Sequence, residues 1–192
     1  MRIKNWLIAA LFLVSPSLYA HTGGHVEHSL ISGLLHPLTG IDHLLVLMAV
    51  GLIAAKQGGK AMLAFPAVFL ALMASGALLN AVAVQIPFVE SLIAISLVAF
   101  GLLVIANDGL RASAHPIILF LGASFFAVFH GYAHAAEIPV DSSVAPYFSS
   151  LMLMSLVICL VGCVIGLTTG RRINYLFSLI CLGSGLYYLA AG

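Results

Sequence analysis

Long apolar stretches separated by short polar breaks dominate the chain after residue 33. Each stretch approaches the roughly 20 residues that an α-helix needs to cross about 30 Å of hydrocarbon. Six such stretches cover residues 34–55, 61–84, 87–106, 116–137, 146–168 and 172–190. The breaks, such as KQGGK and TTGRR, contain residues typical of turns. The pattern predicts an all-α membrane protein, a bundle of six transmembrane helices in one domain, residues 34–192.

The first 20 residues, MRIKNWLIAALFLVSPSLYA, have the pattern of a cleaved N-terminal signal peptide. A basic start and an apolar run precede Ala20, a small residue at the expected cleavage point. Cleavage would make His21 the mature amino terminus of a polar periplasmic segment, residues 21–33. An uncleaved anchor helix is the alternative, because Leu18 is a poor residue for the position three before the cut.

Composition supports the membrane assignment and excludes one class of partner. Hydrophobic residues make up 62% of the chain and charged residues 7%, against about 25% charged in a soluble domain. The net charge is +1, with no basic patch to attract nucleic acid. The lipid bilayer is therefore an expected partner, and nucleic acid is not.

The basic residues of the loops predict the orientation, because positively charged loops stay in the cytoplasm. All of them fall in the breaks after the first, third and fifth stretches, on one side; they are Lys56, Lys60, Arg111, Arg171 and Arg172. A cleaved signal independently places the mature amino terminus outside. The prediction is a multi-pass protein of the cell inner membrane with both mature termini in the periplasm.

This orientation places seven of the eight histidines on the exterior side or in the outer leaflet. His21, His25 and His28 lie in the polar segment, where they are candidates for metal capture. Four more lie on the first and fourth spans, and only His115 maps to the cytoplasmic side.

The segment HPLTGIDH places two histidines and an aspartate at the start of the first span. On one continuous helix, His36 and His43 would return to nearly the same face, with Asp42 about a quarter-turn from His43. Pro37 would suit the first turn of a helix, and Gly40 would allow a helix or an ion to approach closely.

The fourth span ends FFAVFHGYAHAAEIP, in which His130, His134 and Glu137 follow i, i+4, i+7 spacing. At 1.5 Å per residue, His43 lies about 14 Å and His130 about 10 Å from the outer ends of their spans. The two segments are therefore expected to meet at similar depth. Ionisable residues inside a span are costly and by default face a partner or an ion pathway.

Imidazoles with carboxylates form a ligand set suited to nickel, cobalt, zinc or ferrous iron. A single intramembrane histidine would more simply donate a hydrogen bond to a backbone carbonyl. Four histidines and two carboxylates at one depth favour metal handling instead. The predicted metal ligands are His36, Asp42, His43, His130, His134 and Glu137, with Pro37 and Gly40 shaping helix packing at the site.

The two segments, HPLTGIDH on the first span and FHGYAHAAE on the fourth, resemble the HupE/UreJ family, named as hydrogenase and urease accessory proteins. The resemblance covers essentially the whole mature chain. It implies a nickel permease of the cytoplasmic membrane, with cobalt transported in relatives and no permanently bound cofactor. Nickel-delivery chaperones of hydrogenase or urease maturation are then candidate partners.

The family patterns fall on residues already singled out. The first falls on His36, Pro37, Gly40, Asp42 and His43, and the second on His130, His134 and Glu137. Ala135 departs from the glycine expected in the family, which concerns close packing rather than ligation.

The leading hypothesis is uptake of a divalent transition-metal ion, not catalysis. His36, His134 and Glu137 would admit the ion, and Asp42 and His43 with His130 would replace its water ligands. Capture should weaken as the external pH falls, because imidazole binds metal only when deprotonated. The chain has no P-loop sequence and so does not itself use ATP.

Two other functions stay open at this point. An intramembrane metal-dependent hydrolase could use a His/Asp zinc site to activate water, although H-E-x-x-H is absent and no serine is evident within the histidine clusters. A proton-conducting bundle could use the same titratable groups, but these groups stop in the outer half of the membrane.

Overall fold

A computed structural model describes residues 25–109 and 116–191, and every regular element in these two ranges is an α-helix. The helices are α1 (His25–Thr39), α2 (Ile41–Gln57), α3 (Ala61–Ala81), α4 (Val89–Gly109), α5 (Pro116–Ala136), α6 (Val144–Thr168) and α7 (Arg171–Ala191). The all-α prediction is confirmed. The predicted signal peptide lies outside the described residues, as do His21, Arg111 and His115. The predicted domain boundaries stay predictions.

Several helices have the length and composition of membrane spans. Four qualify individually, namely α3, residues 89–106 of α4, α6 and α7, and α1 with α2 would add a fifth as one broken span. Many large apolar side chains are exposed on the outer faces of the bundle, for example Leu63, Leu121 and Leu179. An exposed apolar surface of this kind suits contact with lipid and not with water.

The first predicted span is broken, which corrects the single-helix interpretation of HPLTGIDH. Helix α1 ends at Thr39, and α2 begins at Ile41 after an extended Gly40, so the two helices meet at 77°. Pro37 lies in the last turn of α1, not in the first turn of a helix. His36 and His43 therefore lie on different helices and share no helix face.

Local chemistry explains a break at this position. Proline lacks an N–H and glycine is a poor helix former, so the ladder of hydrogen bonds is weak from Pro37 to Gly40. The hydroxyl of Thr39 donates to the carbonyl of His36 at 2.9 Å and so satisfies the end of α1. Asp42 then lies in the first turn of α2, where a negative charge complements the helix dipole.

Helix α2 is the centre of the bundle. Most of its residues are buried, and it contacts every other described helix. Around it, α1 lies along α6, α3 pairs with α5, and α4 pairs with α7. The start of α2, the end of α5 and the starts of α4 and α6 consequently lie at one end of the bundle, here called the histidine end.

Glycines bring the helix backbones into direct contact at two crossings. A methyl group on Gly51 of α2 would overlap the carbonyl oxygen of Cys159 in α6. Gly76 and Gly131 face backbone carbonyls across the α3 and α5 crossing in the same way. Close approach through small residues is the usual means of packing helices in membranes. Because Gly131 follows His130 directly, this crossing also sets how closely His130 lies against α3.

We expect Gly51→Ala to destabilise the protein, because the added methyl would push α2 away from α6. Overpacking of this kind costs about 1–3 kcal/mol, so the melting temperature of the purified protein in detergent should fall. Gly183→Ala is the matched control, since a Cβ on this helical glycine would meet nothing within 4 Å. Equal melting temperatures for the two variants would contradict the packing described for α2.

Candidate metal centre

Four histidine rings form a continuous row at the histidine end of the bundle. The ring centroids are separated by 5.0 Å from His36 to His134, 4.0 Å from His134 to His43, and 4.9 Å from His43 to His130. We call this sequence of side chains the imidazole row. The expected meeting of the two histidine segments is thus confirmed, although it requires three helices, α1, α2 and α5.

Exposure drops sharply after the first ring of the imidazole row. The His36 side chain is 25% exposed, whereas His134, His43 and His130 are between 0% and 5% exposed. The row therefore begins at the surface and ends in the protein interior. Ionisable groups are rarely buried to this extent unless they are paired or bind a ligand.

Glu137 joins the exposed end of the row. It lies just beyond α5, and its Oε2 accepts a hydrogen bond from Nε2 of His36 at 2.9 Å. Possible ligand atoms of His36, His134 and Glu137 all lie within 4.8 Å of one another. Two ligands bound at about 2.1 Å to one ion lie about 3 to 4 Å apart, so small side-chain shifts would bring these three atoms onto a single ion. We call these residues the Glu137 cluster.

Asp42 orients His43. The Asp42 carboxylate can only accept, so His43 donates its Nδ1–H to Oδ1 at 2.9 Å. The lone pair of this imidazole is consequently on Nε2, which is buried and has no hydrogen-bond partner among the residues that the structure describes. A carboxylate behind a ligating histidine is a common arrangement in metal sites.

Gly40 leaves room for this hydrogen bond. A Cβ at position 40 would lie 3.0 Å from Nδ1 of His43 and 3.1 Å from Oδ1 of Asp42. A larger residue would therefore crowd the bond from the side, although the backbone angles of Gly40 are accessible to any residue. The sequence predicted a close approach at Gly40, and the group that approaches is the Asp42–His43 pair.

His134, in the middle of the row, is the least satisfied of the four imidazoles. Within the described part of the chain neither of its ring nitrogens has a hydrogen-bond partner, and its Nδ1 is 3.9 Å from Oε2 of Glu137. A buried polar group without a partner costs about 1–3 kcal/mol. The donor set around His134 thus suits a ligand that interacts with several imidazoles at once, as a metal ion does.

Two further polar side chains at the site were missed by sequence reasoning. Tyr147 of α6 packs its ring 5.8 Å from the ring of His36, and its buried hydroxyl lacks a partner among the described residues. Ser96 of α4 lies 2.9 Å from Nε2 of His130. Neither belongs to a recognisable motif, because a lone serine in a span or a tyrosine near its end usually serves packing.

Of the remaining candidates, His28 lies away from the row. His28 is exposed on α1, eight residues or about 12 Å along the helix from His36. His25 begins α1, and His21 lies outside the described residues. Pro37 is buried in the last turn of α1. A role of His21, His25 or His28 in metal capture therefore stays a prediction.

These observations define an all-helical protein with the long apolar helices of a multi-pass membrane protein and a cluster of histidines and carboxylates at one end. Comparison with known proteins gives its family. The family described as HupE / UreJ protein matches residues 9–191. Protein HupE of Rhizobium leguminosarum bv. viciae is 34% identical over 164 residues, which cover 85% of this chain and 82% of that protein. The chain belongs to the HupE/UreJ family, and the resemblance drawn from its motifs is confirmed. No solved structure matches it significantly.

We expect Glu137→Gln to weaken nickel(II) binding to the purified protein by about tenfold or more, as for other changes around metal ligands. The amide keeps the size of the side chain but removes the charge that offsets the cation. Isothermal titration with nickel(II) would measure the change. Glu27→Gln is the control, because Glu27 is an exposed carboxylate about 14 Å along α1 from His36. An equal loss in both variants would argue against a site at Glu137.

Proposed function

We propose that the protein is a permease for uptake of a divalent transition-metal ion, with nickel as the substrate and cobalt as the alternative ion. It would supply the maturation of hydrogenase or urease, as the family name suggests. The observation that carries the proposal is the imidazole row, which leads from a partly exposed histidine at the surface to fully buried ones between the helices.

The membrane arrangement that supports uptake has six spans. Helix α5, with 21 residues, would be about 31 Å long and would complete the set as the remaining span. Lys56 and Arg171 lie at the end of the bundle opposite the histidines. Because positively charged loops stay in the cytoplasm, their position supports a histidine end that faces the periplasm. The imidazole row would then open toward the compartment from which the ion is taken.

Entrance of the ion would begin at the Glu137 cluster. The hydrogen bond between His36 and Glu137 occupies two of the candidate ligand atoms. An arriving cation would replace that bond, and the imidazole proton would move from Nε2 to Nδ1 so that the ring stays neutral. The carboxylate would offset part of the ion's charge, and His134 would supply the third ligand. Partial exposure of His36 and Glu137, at 25% and 45%, would let a hydrated ion reach them.

Inward movement would proceed by exchange of one imidazole for the next. The 4.0 Å separation of the His134 and His43 rings and the 4.9 Å separation of the His43 and His130 rings are short enough for an ion to contact both rings of each pair. The negative charge of Asp42 lies beside the second half of the row and would offset the charge of the dehydrated ion.

The donor types favour a transition metal over magnesium or calcium. Imidazole nitrogen suits nickel, cobalt, zinc and iron, whereas magnesium and calcium prefer oxygen ligands. The burial of the three inner histidines favours transport over hydrolysis, because a peptide or lipid substrate would need an open cleft beside the metal. A metal ion is small enough to pass between the imidazoles without such a cleft.

We expect His43→Ala and Asp42→Ala each to reduce uptake of radiolabelled nickel by cells about tenfold or more, because the first removes a ligand of the row and the second its orienting carboxylate. The matched control is His115→Ala, which removes the histidine that the sequence places on the cytoplasmic side. Excess cobalt should compete with nickel, and excess magnesium should not.

Uptake should be compared at equal amounts of protein in the membrane. Wild-type uptake in both His43→Ala and Asp42→Ala would overturn the role of the row. Nickel binding by the purified protein without any uptake in cells would overturn the permease function while leaving the metal site in place.

A further inference from the structure

We propose that Ser96 is a positioning residue that holds His130 in the Nε2–H tautomer, so that Nδ1 is the atom this imidazole offers to the metal ion. The inference rests on the proposed function only in naming a metal ion as the ligand. The assignment of the proton itself follows from hydrogen-bond geometry.

The hydroxyl of Ser96 makes two short contacts. Its Oγ lies 2.6 Å from the backbone carbonyl oxygen of Ile93 and 2.9 Å from Nε2 of His130, and the side chain is fully buried. A hydroxyl has a single proton to donate but can also accept. The carbonyl can only accept, so Ser96 donates to Ile93, and His130 must donate its Nε2–H to Ser96.

This assignment leaves the lone pair of His130 on Nδ1. A neutral imidazole carries one N–H and one lone pair, and His130, at 1% exposure, lies where the charged form would be costly. The neighbouring His43 has the opposite arrangement, since its Nδ1–H donates to Asp42 and its lone pair is on Nε2. Two different partners thus set two different tautomers in adjacent rings.

The contact with Ser96 also fixes the orientation of the ring. Rotation of the imidazole by half a turn about its Cβ–Cγ bond would move Nε2 away from Ser96 and leave a buried N–H without an acceptor. The centroid of the Phe69 ring also lies 6.4 Å from that of His130, and the plane of the His130 ring is nearly perpendicular to that of His43, at 87°. Groups of this kind behind a metal ligand typically change affinity 10–100-fold when removed.

The same geometry argues against Ser96 as a nucleophile. A catalytic serine donates its proton to the histidine that activates it, whereas here the histidine donates and the serine proton is directed to a backbone carbonyl. The side chain is also 0% exposed, which leaves no room for a substrate carbonyl beside it.

A second buried serine satisfies its hydroxyl proton within its own helix. Ser178 of α7 is also fully buried, and its hydroxyl donates to the carbonyl of Asn174 in its own helix at 2.8 Å. That bond satisfies the hydroxyl proton of Ser178 without any histidine. A serine in a helix commonly donates its hydroxyl proton to a carbonyl of the preceding turn, and the contact of Ser96 with His130 is additional to that bond. Ser178→Ala, which removes only a bond of the first kind, is therefore a matched control.

The first test measures binding of nickel(II) to the purified protein in lipid nanodiscs. We expect Ser96→Ala to weaken binding 10–100-fold, Ser96→Thr to restore most of the affinity because it keeps the hydroxyl, and Ser178→Ala to leave binding unchanged. In a His130→Ala background, Ser96→Ala should cause no further loss, because Ser96 acts through His130. An undiminished further loss in that background, or an equal loss in Ser178→Ala, would overturn the proposal.

The second test observes the tautomer directly and needs no metal. Nitrogen NMR of histidine-labelled protein, with the His130 signals assigned by their absence in His130→Ala, should show a protonated Nε2 and an unprotonated Nδ1. Ser96→Ala should alter this pattern, and Ser178→Ala should not. A protonated Nδ1 in the wild type would overturn the inference even if nickel uptake is normal. Absence of uptake with the expected tautomer would instead count against the permease function alone.

Discussion

The need to satisfy buried imidazoles governs the histidine end of this protein. A neutral imidazole between apolar helices must find an acceptor for one nitrogen and a partner for the other, since an unpaired buried polar group is costly. Asp42 meets the first requirement for His43, and Ser96 meets it for His130. In both rings the second nitrogen is left as a potential ligand. His134 has no such partner within the described part of the chain. A bound ion would therefore lower the free-energy cost of burial more for His134 than for the other two buried imidazoles.

The break between α1 and α2 makes this arrangement possible. A continuous helix would separate His36 and His43 by two turns, or about 10 Å along one face. The 77° bend at Gly40 instead brings their ring centroids to 6.3 Å and inserts His134 of α5 beside both. The absent side chain at Gly40 also leaves space for the hydrogen bond of the Asp42–His43 pair. The segment HPLTGIDH therefore both bends the chain and orients His43 as a potential ligand.

Helix packing then sets the distances between the histidines of the row. Glycine crossings hold α2 against α6 and α3 against α5 with their backbones nearly in contact, so the helices that carry the row have little freedom to separate. In α1, Gly33 packs against the carbonyl of Tyr147, one turn before His36, and thereby places that histidine beside the tyrosine ring. The row depends on these crossings as much as on the histidines.

Hydropathy and residue spacing determined much of this protein from the sequence alone. The apolar stretches indicated helices of membrane-spanning length, and the spacing of His130 and His134 placed them on one face of α5, because both properties depend on neighbours in the chain. The tertiary structure decided the rest. The bend at Gly40, the order of the imidazoles and the role of Ser96, which is 34 positions from His130, arise from contacts between distant segments. The spacing of residues along the chain does not predict which groups a buried hydrogen-bond donor will contact across a helix interface.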